Sequence, residues 1–282
     1  MDALITRAHR RNSLNVRSPL IWFGGKSKYA HHLISRFPKH RIYVEPFGGA
    51  AHVLTQKPRS PHEVYNDIDG EVVNFLRVNQ SVPEQLQAAC ENIPYSRQVY
   101  EGWKKEPLPA DPFERAVRWF YMNRSAISRG NAEPVSQTGW RHSTVSSQNP
   151  AQGYVSACAR LKDFSERFKG VMIEQEDFRT VIQKYDHPNA LFYVDAPYVG
   201  YEQFYAGKFT EEDHRDLARL LHQVRGKVVL SYYAHPLIDE LYADFRREAY
   251  VAQKQVVGCA GRDVHTQELV LTNFDQYQLT LF

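Results

Sequence analysis

ALFYVDAPY, residues 190–198, sets five apolar residues in a row ahead of an acid, an alanine, a proline and a tyrosine. A continuous apolar run that stops at a proline turn has the pattern of a strand buried on both faces, as the central strands of parallel sheets are. The neighbouring segments repeat the theme. VMIEQEDF, from Val171, is strand-like, and so are KVVLSYY (227–233) and QELVLTNF (267–274). Upstream, RIYVEPF (41–47) reads as a short buried strand running into a glycine turn, with a helix at 50–56. EVYNDID (63–69) reads as a second strand that ends in an acidic turn, with a helix from near Glu71. Thr210 is placed to cap a helix whose Leu217, Leu220, Leu221 and Val224 follow i, i+3, i+4, i+7 spacing. The β-α-β-α order predicts an α/β fold with a parallel sheet.

The middle of the chain departs from that rhythm. Asp111-Pro112-Phe113-Glu114 supplies an N-cap, a proline at the first helical position and an acid at the third, and Val117, Phe120 and Tyr121 continue an apolar face. A polar stretch, SRGNAEPVSQTGWRHSTVSSQNPAQG (128–153), follows and is too long for an ordinary connection. A helix resumes at about 154–168. The predicted organisation is a basic tail at 1–17, a sheet-bearing domain from 18–82 and 165–282, and a helical, loop-rich insertion at 83–164. Arg7, Arg10, Arg11 and Arg17 make the tail either a solvated arm or one that touches phosphates.

With 282 residues and 43% hydrophobic content the chain can bury a sizeable core. No stretch has the length or apolarity of a membrane span, and MDALITRAHRRNSLNVR lacks the apolar middle of a signal peptide. The formal charge of +3 is mildly basic. Cys90, Cys158 and Cys259 are odd in number and far apart, which points to a reducing compartment and away from a disulfide framework or a zinc site. No metal is expected.

Three short segments carry chemistry. Glu45-Pro46-Phe47-Gly48-Gly49-Ala50 would let a ligand come close to backbone at the end of the first strand. Asp67 lies nineteen residues beyond Gly48, the separation at which a carboxylate on the next strand accepts hydrogen bonds from a ribose diol. A GxGxxG pattern is absent, so a cofactor with an adenosine and no pyrophosphate fits better than a dinucleotide. Trp22-Phe23-Gly24-Gly25-Lys26 offers a cation for a carboxylate and an aromatic for a sulfonium or an adenine. In Asp195-Ala196-Pro197-Tyr198 the proline holds Ala196 extended, so its carbonyl is presented in a defined direction beside a carboxylate. That pair suits an exocyclic amine that must act as a nucleophile, with Tyr198 against its ring. Taken singly, each segment is equally an ordinary glycine loop, acidic turn or strand end.

In the order WFGGK, EPFGGA, NDID, EDF, DAPY, across residues 20–198, the segments resemble the Dam-like (D12 class, alpha-group) DNA adenine-N6 methyltransferases. The similarity continues through Phe209-Thr210, Asp213-His214, Leu230-Ser231-Tyr232 and Thr272-Asn273-Phe274. The resemblance implies a Rossmann-like S-adenosylmethionine-dependent methyltransferase sheet carrying an inserted DNA-recognition module. It implies S-adenosyl-L-methionine as cofactor and double-stranded DNA as substrate. A monomer working in the cytoplasm of a bacterial or phage-infected cell is the matching expectation. By the same resemblance, Trp22, Gly25 and Lys26 would bind the methionine part of the cofactor, and Glu45, Pro46, Phe47, Gly48 and Gly49 would form the turn around it. Asp67 would hold the ribose, and Asp177 and Phe178 would flank the adenine. Asp195, Ala196, Pro197 and Tyr198 would hold the target base, and aspartate at the first of these positions favours adenine over cytosine.

Two departures stand out. The family's D-P-P-Y has alanine at its second position here, Ala196, which leaves the carbonyl in place and loosens the strand end. The family's N-R-x-x-F/Y-N-G segment is reduced to Asn123-Arg124 followed by Ser125-Ala126-Ile127-Ser128-Arg129-Gly130. Asn123, Arg124, Arg129, Trp140 and Arg141 are the DNA-binding candidates, each of which either reads bases or packs the insertion. The rival readings are a weak or inactive DNA-binding relative, an amino-methyltransferase for another base, and a small-molecule α/β enzyme.

Overall fold

The computed structural model describes residues 16–127, 139–144, 149–253 and 265–275; the side chains of 251–253 and 265–267 fall outside that description. The first fifteen residues, with Arg7, Arg10 and Arg11, lie outside it, as do Arg129 and Cys259. By internal contacts the chain forms two units, one built from 1–27, 49–56 and 69–169 and the other from 28–48, 57–68 and 170–282.

The second unit holds a seven-stranded sheet. Its strands are β1 (Ile42–Glu45), β2 (His62–Asn66), β3 (Val171–Glu174), β4 (Ala190–Val194), β5 (Lys227–Tyr233), β6 (Arg246–Gln253) and β7 (His265–Thr272). They lie in the order β3-β2-β1-β4-β5-β7-β6. Strands β1 to β5 run parallel, and β7 enters antiparallel between β5 and β6. This is the mixed α/β sheet expected of a Rossmann-like methyltransferase, with β7 alone running against the other strands.

Strand registers sort the side chains onto two faces. Val44, Val64, Phe192, Val194, Val228, Leu230, Tyr232, Leu269 and Leu271 share one face and form a buried apolar core. Val181 and Ile182 of α9 (Phe178–Tyr185), Leu217 and Leu221 of α10 (Glu211–Gln223) and Ile238 of α11 (Pro236–Leu241) belong to that core. Thr210 caps α10 in a reciprocal box with Asp213, as the spacing predicts. The opposite face is far more polar. Tyr43 and Glu45, Glu63 and Tyr65, Tyr193, Ser231 and Tyr233, and Glu268 line up across it. The helix α1 (Ala30–Ile34) belongs to this unit too, and just beyond it Phe37 packs on Tyr43 and Tyr193.

The other unit is helical: α2 (His52–Gln56), α3 (Gly70–Ser81), α4 (Pro83–Glu91), α5 (Arg97–Lys105), α6 (Pro112–Ser125), α7 (Pro150–Cys158) and α8 (Leu161–Phe168). Asp111 caps α6 by accepting from Glu114 N at 2.9 Å, with Pro112 at the helix start. Helix α3 packs on α6, where Phe75 stacks on Phe120 at 5.4 Å.

Three sequence expectations shift. The helix placed at 50–56 begins at His52, because Gly49 and Ala51 take φ of +47° and +54° and helical backbone cannot start through them. The helix placed at 154–168 is two: Asn149 and Pro150 start α7 inside the stretch assigned to the polar loop, and the chain breaks at Ala159-Arg160. Strand β3 ends at Glu174, since Asp177 turns to cap α9.

Candidate active site

In the sheet unit the predicted residues collect at the carboxyl ends of β1, β2, β3 and β4, where open α/β sheets place their ligands. The first turn, Glu45 to Gly48, folds back on β2. Gly48 N donates to Asn66 O at 2.8 Å, and a Cβ on Gly48 would stand 2.1 Å from the Tyr65 ring. Glu45 is buried and accepts from the Tyr43 hydroxyl at 3.1 Å. Asn66 ties the turns together: its amide donates to Pro46 O at 2.8 Å and Glu176 O at 3.0 Å and accepts from Glu176 N at 2.9 Å. Asp67, the next residue, is buried at the end of β2, with its N–H toward Glu174 O.

Asp177 caps α9 through Arg179 N at 2.8 Å, and the Arg179 guanidinium lies beside its carboxylate at 3.0 Å. Phe178 is buried, and with Phe47 and Phe209 it makes an aromatic trio whose centroids are 5.4–5.8 Å apart. Phe209 was outside the predicted set, although Phe209-Thr210 falls within the resemblance.

The chain leaves β4 at Asp195, which is partly buried, and then passes through buried Ala196, Pro197 and Tyr198. One carboxylate oxygen of Asp195 accepts from Ser231 Oγ on β5 at 2.9 Å and lies 3.2 Å from the Tyr198 hydroxyl. That hydroxyl donates to Glu268 Oε1 on β7 at 2.6 Å. Burial first, then the nearby Asp195 and Glu268, raise the Tyr198 pKa well above that of a free phenol, so the hydroxyl keeps its proton. The predicted set leaves out Asn66, Ser231 and Glu268. Asn66 falls within NDID and Ser231 within Leu230-Ser231-Tyr232, segments of the resemblance that carry no role for them, and Glu268 lies inside a strand pattern with no motif of its own.

The helical unit carries the remaining cofactor candidates. Trp22 to Gly25 make a turn closed by Gly25 N to Trp22 O at 3.2 Å, with Gly24 at φ +68°. Lys26 is buried, and its ammonium donates to Gly24 O at 2.8 Å. A Cβ on Gly25 would stand 2.8 Å from the His52 ring, and one on Gly49 would stand 2.5 Å from the Trp22 indole nitrogen. Burial, with Lys26 nearby, pushes the His52 pKa down to about 4, and its Nδ1 has no hydrogen-bond partner.

The DNA-binding candidates of this unit are spread along its chain. The Asn123 amide clamps Ile21, accepting from its N–H at 2.9 Å and donating to its carbonyl at 2.8 Å. Arg124 donates to Pro19 O at 3.1 Å and to Gly153 O at 3.0 Å. Both therefore brace the segment that leads into Trp22. Trp140 pairs with Ala126 in a short antiparallel bridge, stacks on His142 and lies under the Arg97 guanidinium at 4.8 Å. Arg141 donates from Nε to Ala126 O at 3.2 Å, and burial lowers its pKa. Arg129 lies outside the described residues.

A parallel sheet with one antiparallel strand, and Asp195-Ala196-Pro197-Tyr198 at the end of its central strand, matches the Rossmann-like methyltransferase class. Residues 22–256 match the D12 class N6 adenine-specific DNA methyltransferases, and the chain belongs to that family. It is 24% identical to the Type II methyltransferase M1.LlaDCHI of Lactococcus lactis subsp. cremoris, over 94% of this chain and 98% of that protein. The DNA adenine methylase of Escherichia coli K12 is 26% identical over 72% of this chain and 75% of its own length. That of Salmonella typhimurium is 33% identical over 38% of this chain and 40% of its own. The family makes the chain an enzyme of DNA adenine methylation. Among the described residues no helix is long and apolar enough to cross a membrane, and no cluster of His, Cys, Asp and Glu could hold a metal ion.

Proposed function

We propose that the protein transfers a methyl group from S-adenosylmethionine to N6 of adenine in double-stranded DNA, with Asp195 and the Ala196 carbonyl accepting hydrogen bonds from the amine; as the S–CH3 bond breaks and the N–CH3 bond forms, S-adenosylhomocysteine leaves and one amine proton passes by way of Asp195 to solvent. The observation that carries this reading is the placement of Asp195 at the end of the buried central strand, with one carboxylate oxygen fixed by Ser231. An exocyclic amine delocalises its lone pair into the ring. Two acceptors on its two N–H bonds favour the pyramidal nitrogen, whose lone pair is then available for attack. Bringing the base to these acceptors requires rotating it out of the duplex, at about a few kcal/mol offset by contacts in the site.

The residues fit the cofactor. Gly48 and Gly49 stand where a Cβ would collide with Tyr65 or Trp22, so the turn after β1 packs bare backbone against those rings. Within the sheet unit the Phe47, Phe178 and Phe209 rings suit an adenine and Asp67 a ribose diol; within the helical unit Lys26 suits a carboxylate. When bound, S-adenosylmethionine supplies an electrophilic methyl group on a sulfonium.

We assign residues 83–164 to target recognition and 18–82 with 165–282 to catalysis, and place the enzyme as a monomer in the cytoplasm of a bacterial or phage-infected cell. Trp140, Arg141 and Arg129 are the proposed DNA contacts, while Asn123 and Arg124 bond to the backbone of Pro19, Ile21 and Gly153. The test is methyl transfer from labelled S-adenosylmethionine to a duplex containing unmethylated adenine. Transfer that disappears in Asp195→Ala while cofactor binding persists supports the reading. Cofactor binding without transfer in the wild type favours the inactive DNA-binding relative instead.

A further inference from the structure

Glu268 has no assigned role, yet it sits one hydroxyl away from the proposed amine acceptor. It lies on β7 opposite Tyr233 of β5 and Tyr250 of β6, and it is only 3% exposed. The Tyr198 hydroxyl reaches it at 2.6 Å and Asp195 Oδ1 at 3.2 Å. A phenol has one proton to donate, and the shorter contact, a charge-assisted bond, holds it. Tyr198 is fixed at its other end as well, its ring edge-on to Tyr233 at 4.4 Å.

We propose that Glu268 is a positioning residue for methyl transfer: by accepting the Tyr198 hydroxyl it holds the tyrosine ring in place and keeps that proton from Asp195, whose carboxylate stays a strong acceptor for the target amine. The inference rests on the reading of Asp195 as that acceptor. Without Glu268, the hydroxyl turns to Asp195 Oδ1, where Ser231 already donates. A carboxylate accepting two internal hydrogen bonds attracts an amine hydrogen less strongly.

The experiment compares single-turnover methyl transfer on an adenine duplex in Glu268→Ala, Glu268→Gln, Tyr198→Phe and the Glu268→Ala/Tyr198→Phe double variant, with Asp195→Ala alongside. Glu268→Ala is expected to slow transfer roughly tenfold or more, the loss that follows when one charge-assisted bond goes astray. Cofactor affinity and the KM for DNA should hold within about twofold. Glu268→Gln keeps an acceptor oxygen and should recover most of the rate. In the Tyr198→Phe background Glu268→Ala should add nothing, because the hydroxyl it controls is gone. Glu268→Leu, which fills the volume without an acceptor, replaces the alanine variant if that one does not fold. Transfer at the wild-type rate in Glu268→Ala or Glu268→Leu overturns the proposal, and so does an equal loss with and without the Tyr198 hydroxyl. If Asp195→Ala itself retains transfer, the reading of the motif falls. If Asp195→Ala is inactive while Glu268→Ala is normal, only the role of Glu268 falls.

Discussion

A single methyl group added at Gly48 should disable the turn after β1. In Gly48→Ala the new Cβ would stand 2.1, 2.5 and 2.5 Å from three atoms of the Tyr65 ring. Ordinary carbon contacts are ~3.5–4.0 Å, so more than an ångström must be found. Tyr65 cannot supply it easily, since its side chain is fully buried and its backbone is paired with Glu45 in the sheet. The turn must lift instead, which breaks the 2.8 Å bond from Gly48 N to Asn66 O. Overpacking of this kind costs about 1–3 kcal/mol and the lost bond roughly 0.5–1.5 kcal/mol more. At roughly 2–4 °C per kcal/mol for a chain of this size, the melting temperature should fall by about 3–18 °C. Cofactor affinity, measured by calorimetry at a temperature where the variant is folded, should weaken as well. Gly102→Ala is the control: a Cβ there meets nothing within 4 Å, and its helix, α5, should gain about 0.5–1 kcal/mol. Gly48→Ala melting within a degree of the wild type, with unchanged cofactor affinity, would refute the reasoning that the turn needs bare backbone against Tyr65.

Further perturbations test other parts of the structure. Ala196→Pro restores the family's residue and should raise single-turnover transfer and stability, the latter by about 0.4–1 kcal/mol where the backbone already fits; an unchanged turnover rate would mean that rigidity at this position is irrelevant. Asn66→Asp replaces an amide that donates to two carbonyls with a carboxylate that cannot, and should destabilise the chain by roughly 3 kcal/mol while lowering cofactor affinity; a variant that melts and binds like the wild type counts against Asn66 as the tie between turns. His52 has a folded-state pKa of about 4, below the 6.5 of a free imidazole, so the unfolded chain takes up the proton first as the pH falls. Its contribution is absent above pH 6.5, destabilises progressively below it, and levels off near pH 4 at roughly 3 kcal/mol at most. Denaturant unfolding of His52→Gln between those values should show a shallower pH dependence than the wild type, and identical slopes would remove His52 as the cause.

The central strands were legible because burial on both faces writes itself as an unbroken apolar run, as in Ala190–Val194. Helix starts were legible where a cap and a proline coincide, as at Asp111-Pro112. Strand β6 was not: RREAYVAQ carries the charges of an edge strand and no clean alternation. The break at Ala159-Arg160 has no glycine or proline to mark it. The motif residues could be picked out because a ligand constrains several neighbours at once. The bonds that hold them could not, since Asn66, Ser231 and Glu268 reach partners 36 to 110 positions away in the chain. Asn123 and Arg124 show the reverse: the residue types suit base reading, while their bonds to Pro19, Ile21 and Gly153 brace backbone.

The central claim is transfer to adenine N6 through Asp195, and base-resolved mapping tests it most directly. Unmethylated genomic DNA would be incubated with the full chain and S-adenosylmethionine, in parallel with the Asp195→Ala variant, and sequenced as single molecules. N6-methyladenine should appear in one short sequence motif and be absent from the variant's DNA. Methylated cytosine in place of adenine, or the same adenine signal from Asp195→Ala, would contradict it.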